Sequence, residues 1–228
     1  MNGKITVVLG IVVVLLLGAF TFKRLVTTQA FDEQAAAKTQ YVCLPCGCGQ
    51  DDKIHEQPGT CPACGMALVD KEKVGKDLST IFSFLKLNDQ VWTGGQPTME
   101  HLAKLKEAGV KTIINLRPHN EYKEGAEEEA TAKTLGFRYL NIPIVYNQPK
   151  DEDADEFLKV TDETVGKELV FIHCAAAIRV SAFWMIRRVL RDGWTYEKAF
   201  EEADKIGLRN RQHLIQFAKS YIERHQKK

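Results

Sequence analysis

The spacing of apolar and polar positions divides the chain into a long apolar run, a cysteine-rich stretch and a longer region of alternating elements. From residue 81 onward, short runs rich in β-branched and aromatic residues alternate with stretches at helical spacing. The pattern predicts strands at 82–87, 90–93, 111–116, 138–143 and 168–173. It predicts helices at 98–108, 121–135, 151–164, 179–191, 195–206 and 211–224. Strands separated by helices are typical of an α/β fold whose mostly parallel sheet carries helices on both faces.

The long apolar run extends from Ile5 to Phe22, eighteen residues without a charge. At about 1.5 Å per residue it is just long enough to cross a hydrocarbon core of roughly 30 Å. We therefore interpret residues 1–25 as a single-pass membrane anchor, followed by a stalk at 26–39; a cleaved signal peptide is the alternative. Positive charges on both sides of the run leave its orientation open.

The cysteines are unevenly distributed: five lie between Cys43 and Cys64, and the sixth is Cys174. Such clustering favours a local metal site over a disulfide framework, which would distribute its cysteines through the fold. Two Cys-x-x-Cys pairs separated by fourteen residues suit a tetrahedral thiolate site for Zn²⁺ or another soft heavy metal. The predicted ligands are Cys43, Cys46, Cys61 and Cys64.

We assign these ligands to a metal-binding ribbon at residues 40–72, joined by a linker at 73–80 to a domain at 81–228. The ribbon resembles the small heavy-metal-binding domain attached to copper and zinc efflux proteins. The matching residues are Tyr41, Cys43, Pro58, Gly59, Cys61, Pro62, Cys64, Gly65 and Met66. Cys46 replaces the histidine of that family, which favours a structural zinc ribbon over a transfer site. Cys48 adds a fifth thiol, either spare or a ligand.

The central stretch of the larger domain runs from Leu169 to Ser181 and predicts a buried strand, a tight loop and a buried helix. A loop at a helix N-terminus directs backbone N–H groups and the helix dipole at an anion. Cys174 lies at its start and Arg179 at its end, which is the arrangement that a cysteine nucleophile needs. The alternative for Cys174 is an inert buried thiol. His173 either orients the loop or is a core histidine.

Residues 81–220 resemble the tyrosine and dual-specificity phosphatases, and more closely a bacterial phosphatase-like branch. The resemblance rests on Gly94-Gly-Gln96-Pro97, Asn115-Leu116-Arg117, Ile142-Pro143, and His173-Cys174 with Arg179 and Ser181. It implies that Cys174 attacks phosphorus, that Arg179 binds the phosphoryl oxygens and that the Ser181 hydroxyl assists thiolate release. It further implies that the loop residues bind the substrate and that this site needs no cofactor. Those loop residues are Ala175, Ala176, Ala177 and Ile178.

Three features depart from the phosphatase pattern. Four residues instead of five separate Cys174 from Arg179, and the loop has no glycine to adopt positive φ. After Ile142-Pro143, Tyr146-Asn147 replaces the expected acidic residue. The nearest carboxylates, Asp151 and Asp153, open a predicted helix, and we interpret them as helix caps.

Three functions remain open. The first is a membrane-tethered cysteine phosphatase acting on phosphate monoesters, with its domains in the periplasm. The second is a rhodanese-like sulfurtransferase, which the four-residue loop favours. The third is a catalytically inactive binding or metal-sensing protein. A net charge of +1 gives no indication of nucleic-acid binding.

Overall fold

The computed structural model describes residues 39–46, 48–51 and 53–226. The predicted anchor at 1–25, and the stalk as far as residue 38, lie outside the described residues. Among the residues that are described, no helix is both long enough and apolar enough to cross a bilayer. The chain from Lys38 to Lys228 groups into one compact unit.

The cysteine-rich stretch forms a three-stranded antiparallel sheet of two-residue strands in the order β2-β1-β3. These strands are β1 (Tyr41–Val42), β2 (Ile54–His55) and β3 (Val69–Asp70). Apart from its strands, this ribbon consists of turns that carry the thiols. Such short strands bury little apolar surface, so the shape of the ribbon depends on what its cysteines bind.

The larger sheet has five strands in the order β4-β5-β8-β6-β7. They are β4 (Leu85–Lys86), β5 (Val91–Gly94), β6 (Thr112–Asn115), β7 (Arg138–Asn141) and β8 (Val170–His173). Only the edge pair β4 and β5 is antiparallel, and the other three pairings of this sheet are parallel. The predicted α/β fold with a mostly parallel sheet is confirmed.

Helices cover both faces of this sheet. They are α1 (Met99–Glu107), α2 (Gly125–Thr134), α3 (Asp151–Thr164), α4 (Ile178–Leu190), α5 (Tyr196–Ile206) and α6 (Gln212–Gln226). Side chains alternate along the central strand β8, so that Val170 and Ile172 join the core under α3 to α6 while Phe171 joins the core under α1 and α2. All three side chains are fully buried. Each contributes roughly 1.5–3 kcal/mol by leaving water.

Two elements begin three or more residues later than predicted. The strand predicted from residue 82 begins only at Leu85, because Ser83 adopts positive φ (50°) and interrupts the extended backbone. The helix predicted from residue 121 begins at Gly125. A 3-10 turn at His119–Glu121 precedes it, and Tyr122 is extended, which separates the turn from the helix.

The parallel strands bring three segments to one edge of the sheet. Gly94, at the end of β5, and Asn115, at the end of β6, both pair in register with His173 on β8. The residues that follow these strand ends therefore converge next to Cys174. This edge, formed by the carboxyl ends of the parallel strands, is where α/β sheets bind ligands.

Candidate functional site

Cys174 occupies the first position after the central strand. Its backbone N–H donates to the carbonyl oxygen of Gly94 at 3.4 Å, and its side chain is 1% exposed. Four residues later α4 begins, so the loop Ala175–Ile178 lies at the positive end of a thirteen-residue helix. The predicted strand, loop and helix are all present.

The loop closes although it contains no glycine. Ala177 adopts a left-handed conformation (φ 60°, ψ 0°) immediately before α4. A non-glycine residue in this region costs about 1–2 kcal/mol. Ala177 is completely buried within the main core, and that packing holds the strained conformation.

A second segment holds the loop from outside. Gly95 forms an isolated antiparallel bridge with Ala176, and the backbone N–H of Gln96 donates to the carbonyl oxygen of Ala175 at 3.0 Å. A Cβ atom on Gly95 would lie 2.7 Å from that same carbonyl oxygen, so only glycine permits this approach. The Gly94-Gly-Gln96-Pro97 motif thus supports the loop.

Arg179 is 2% exposed and is held by a carboxylate that the sequence did not single out. Its two terminal nitrogens donate to the two oxygens of Glu121 at 2.5 and 2.6 Å, and one also donates to the Ile144 carbonyl oxygen at 2.9 Å. Burial opposes the charge on Arg179, but Glu121 and the adjacent Cys174 outweigh it and raise the pKa of the guanidinium. Its buried Nε–H has no partner among the described residues and is available to an oxyanion.

Glu121 connects this pair to Arg117. The Nε of Arg117 donates to Glu121 at 2.9 Å, and one of its terminal nitrogens donates to the Gln96 side-chain oxygen at 2.8 Å. Burial raises the pKa of Glu121, but Arg179 and Arg117 together lower it below its ordinary value. Glu121 is therefore an ionised positioning group.

Glu128 is the centre of a buried network behind the loop. It accepts hydrogen bonds from the Gln96 amide and from the Tyr122 and Tyr139 hydroxyls, and its Oε1 lies 2.9 Å from Nε2 of His173. Burial alone would raise the pKa of Glu128, but the adjacent His173 ring, aided by the Gln96 and Tyr122 donors, lowers it to about 2. His173 is itself fully buried, with its ring stacked on Phe171. The His173 ring thus belongs to a buried network at the end of the strand from which the loop starts, and its orienting role stays a prediction.

The Ser181 hydroxyl is fully buried and donates to the carbonyl oxygen of Ile178 at 2.6 Å. It therefore bonds to the backbone of the loop from within α4. Its predicted assistance to the thiolate stays a prediction.

The two aspartates at the start of α3 act at the helix terminus. The Asp153 carboxylate accepts from the Lys150 backbone N–H at 2.9 Å, and Asp151 pairs with Arg224 at 2.7 and 2.8 Å. Neither lines the cavity at Cys174. Glu121 is the only carboxylate among the described residues that does.

The cavity over Cys174 has a volume of about 630 Å³. Its lining includes four arginines: Arg117, Arg179, Arg209 and Arg211. Arg209 and Arg211 are exposed at the rim, where Arg209 lies over the ring of Phe82 at 4.7 Å from the centroid. Four guanidinium groups against one carboxylate make this a cavity for an anion.

The ribbon brings its thiols together. The sulfurs of Cys43, Cys48, Cys61 and Cys64 all lie within 4.8 Å of one another. Cys46, predicted as a ligand, belongs to an overlapping group with Cys43, Cys48 and Asp51. Cys48 thus occupies the fourth position of the compact set.

The spacing of these sulfurs suits a tetrahedral metal ion. Zinc–sulfur bonds of about 2.3 Å place neighbouring sulfurs about 3.8 Å apart. The distances from Cys43 to Cys64 and to Cys48 are 3.6 and 3.8 Å, and Cys48 lies 3.8 Å from Cys61. A hydrogen bond from the backbone of Cys64 lowers the pKa of Cys61 to about 7, whereas burial raises the pKa of the Cys43, Cys46 and Cys48 thiols. A metal ion would have to displace the protons of those thiols when it binds. The donor set fits Zn²⁺.

Sequence reasoning identified the loop but missed the residues that hold it, namely Gln96, Arg117, Glu121 and Glu128. Gln96 and Arg117 belong to the motifs that carry the resemblance, and each follows the end of a predicted strand. That position was the available signal that they lie near the loop. Glu128 is a charged residue on a polar helix and gave no signal.

Comparison with known proteins places residues 72–219 in a family model described as a DSP-PTPase phosphatase fused to NAD+ kinase. A beta-lactamase hydrolase-like protein of Xylella fastidiosa (strain Temecula1) is 25% identical over 107 residues, 46% of this chain and 24% of that protein. A similarly named protein of Agrobacterium fabrum is 27% identical over 124 residues, 53% of this chain and 28% of its own. The chain thus spans about a quarter of the length of these relatives.

Solved structures share the fold. A DUF442 protein of Shewanella putrefaciens CN-32 has a TM-score of 0.56 at 24% identity, covering 66% of this chain and 97% of its own. TpbA of P. aeruginosa, solved in complex with pTyr, has a TM-score of 0.50 at 18% identity, covering 64% and 85%.

Proposed function

We propose that Cys174 is the nucleophile of a hydrolase that acts on phosphate monoesters. This chain belongs to the DSP-PTPase phosphatase family, which supports the proposal. The observation that carries this proposal is that Cys174 and Arg179 line the same cavity together with three further arginines. A thiolate needs an adjacent cation to remain charged, and a phosphoryl group needs the same cation to bind. The Arg179 guanidinium can stabilise the thiolate and also bind the phosphoryl group.

The reaction proceeds in two balanced steps. The Cys174 thiolate attacks phosphorus, the bond to the ester oxygen breaks, and the leaving group departs as an alkoxide or phenolate that takes its proton from solvent water. Water then attacks the phosphorus of the phosphocysteine intermediate and the sulfur–phosphorus bond breaks. Inorganic phosphate leaves, and the Cys174 thiolate is restored. Arg179 and the loop amides of Ala175–Ile178 stabilise the charge on the phosphoryl oxygens.

Glu121 sets the orientation of Arg179. With both terminal nitrogens of the guanidinium held by the carboxylate, the unpartnered Nε–H remains for the phosphoryl oxygens. A pre-oriented donor needs no reorganisation as charge develops in the transition state. We therefore assign Glu121 as a positioning residue and Arg179 as a catalytic one.

Hydrolysis of an aryl phosphate tests the proposal. The purified chain should hydrolyse p-nitrophenyl phosphate, and Cys174→Ser should abolish turnover. Arg179→Lys should also lose activity, since lysine lacks the planar fork of the guanidinium. The matched control is Arg188→Lys, because Arg188 lies on the same helix but pairs with Glu202 and Asp192 outside the cavity.

A sulfurtransferase is the second candidate, and the four-residue loop between Cys174 and Arg179 favours it. Such a reaction would move the outer sulfur of thiosulfate to Cys174, release sulfite, and pass the persulfide sulfur to cyanide as thiocyanate. Thiocyanate formation without phosphate ester hydrolysis would replace the phosphatase proposal. Absence of both reactions in a folded chain would favour the inactive binding protein.

We further propose that the apolar run Ile5–Phe22 anchors the chain in a membrane and that the ribbon holds one zinc ion. The resemblance of the ribbon to efflux-linked domains supports a periplasmic location. Resistance to carbonate extraction tests the membrane anchor, and a reporter fused to the carboxyl terminus tests the periplasmic location. Activity of a cytoplasmic reporter would contradict the periplasmic location.

A further inference from the structure

The cavity over Cys174 is lined by two parts of the chain. The larger domain contributes Cys174 and Arg179. The ribbon contributes Cys46, Cys48, Ala63, Cys64 and Met66. The catalytic loop and the thiol ribbon therefore face the same space.

The ribbon also meets the segment that supports the loop. Pro45 and Asp51 line a separate cavity of about 400 Å³ together with Gln96 and the start of α1. Pro45 and Asp51 thus line this second cavity, while Cys46 and Cys48 line the cavity over Cys174. Because Gln96 binds the Ala175 carbonyl oxygen directly, the ribbon is seated beside the segment that shapes the catalytic loop.

We propose that the ribbon turn from Ala63 to Met66 is the outer wall of the substrate cavity and determines which leaving groups reach Cys174. The turn is held by Cys61 and Cys64, with the Cys61 N–H donating to the Met66 carbonyl oxygen at 2.7 Å. Bound metal fixes both cysteines, so metal loading fixes the wall. The effect on leaving groups rests on the proposed phosphatase function, whereas the effect on access to Cys174 does not.

The two sets of lining residues differ in chemistry. The larger domain contributes four arginines, whereas the ribbon contributes Ala63 and Met66 besides three cysteines. Methionine makes favourable sulfur contacts with apolar and aromatic groups. The ribbon therefore adds an apolar contact surface for the leaving group of the phosphate monoester.

Two matched alanine substitutions test the wall. Ala63 lines the cavity and Ala67 does not, yet both are exposed residues of the same ribbon. Ala63→Trp should raise KM for the bulky 4-methylumbelliferyl phosphate by about tenfold and affect p-nitrophenyl phosphate less, because a filled pocket discriminates by size. Ala67→Trp should leave both values unchanged. Equal effects of the two substitutions would overturn the proposal.

Labelling of Cys174 supplies a readout that needs no turnover. Mass spectrometry of the full chain can follow alkylation of Cys174 separately from that of the ribbon thiols. Ala63→Trp should slow labelling by a bulky maleimide, and zinc chelation should accelerate it, while iodoacetamide should respond less. Labelling that is unaffected by either change would refute the wall even in an active phosphatase. An inactive chain that still shows these changes would refute only the phosphatase.

Discussion

Glu121 and Arg179 form a two-pronged ion pair across fifty-eight positions of sequence, with both carboxylate oxygens bound by the guanidinium. The pair joins the turn before α2 to the first turn of α4. Its geometry leaves one nitrogen of Arg179 for a ligand, and Arg117 completes the coordination of the carboxylate. The orientation of the catalytic arginine therefore depends on a residue outside the loop.

Replacing Glu121 tests this dependence. Glu121→Gln keeps the shape but removes the charge, so Arg179 should lose its fixed orientation and kcat/KM for p-nitrophenyl phosphate should fall by about 10²-fold. Glu124→Gln, three residues further on and outside the catalytic cavity, is the matched control and should have little effect. Circular dichroism checks that both variants fold. Equal activity of the two would contradict the role of Glu121.

The leaving group provides a second prediction. Glu121 is held ionised by two arginines, and it is the only carboxylate among the described residues that lines the cavity, so none of these residues supplies a carboxylic acid to protonate the ester oxygen there. A general acid contributes about 10²–10⁴ in rate. The chain should therefore hydrolyse p-nitrophenyl phosphate far faster than glycerol phosphate, whose leaving group requires protonation. Asp151→Asn should change neither rate, and a large loss would identify Asp151 as the acid.

Much of the fold follows from local pattern, and much of the site does not. Helix α3 has the bounds that the sequence predicts, because its apolar spacing is regular and its first turn carries capping acids. The network around Glu128 joins residues from four separate segments, which no local pattern links. The left-handed Ala177 even opposes local preference and exists because the surrounding core imposes it.

The strain at Ala177 leads to a third prediction. Glycine adopts φ near 60° without steric cost, and this relief of about 1–2 kcal/mol offsets both the lost burial of one methyl group, about 0.8 kcal/mol, and the greater unfolded-state entropy of glycine. Ala177→Gly should therefore change the free energy of unfolding by less than about 0.5 kcal/mol. Ala176 is not among the described residues with positive φ. Ala176→Gly should therefore destabilise the chain by about 0.5–1 kcal/mol. Urea unfolding measures both, and a loss of more than about 1 kcal/mol in Ala177→Gly would show that the strain is absent.

The fourth prediction separates the two candidates for the last metal ligand. Cys48 belongs to the compact set with Cys43, Cys61 and Cys64, whereas Cys46 lies 4.0 Å from Cys43 in a second group. Cys48→Ser should weaken binding of one metal ion and alter the cobalt charge-transfer spectrum, while Cys46→Ser should preserve the spectrum. The reverse result would restore Cys46 as the ligand that the spacing predicts.

The last prediction concerns stability in acid. The pKa of Glu128 is lowered to about 2 in the folded chain, so its ionisation stabilises the fold above the unfolded-state pKa of about 4.3. This contribution should be about 3 kcal/mol at neutral pH, and it is lost as the pH falls from about 4 towards 2.

Glu128→Gln should therefore be much less stable than the parent chain at pH 7, and the difference should narrow as the pH falls through that window. Glu129→Gln is the matched control, because Glu129 forms an exposed pair with Lys133 and should cost less than about 1 kcal/mol. Urea unfolding at several pH values measures both. A difference between Glu128→Gln and the parent that stays constant with pH would mean that the carboxylate is not ionised in the folded network, because only ionisation makes its contribution depend on pH.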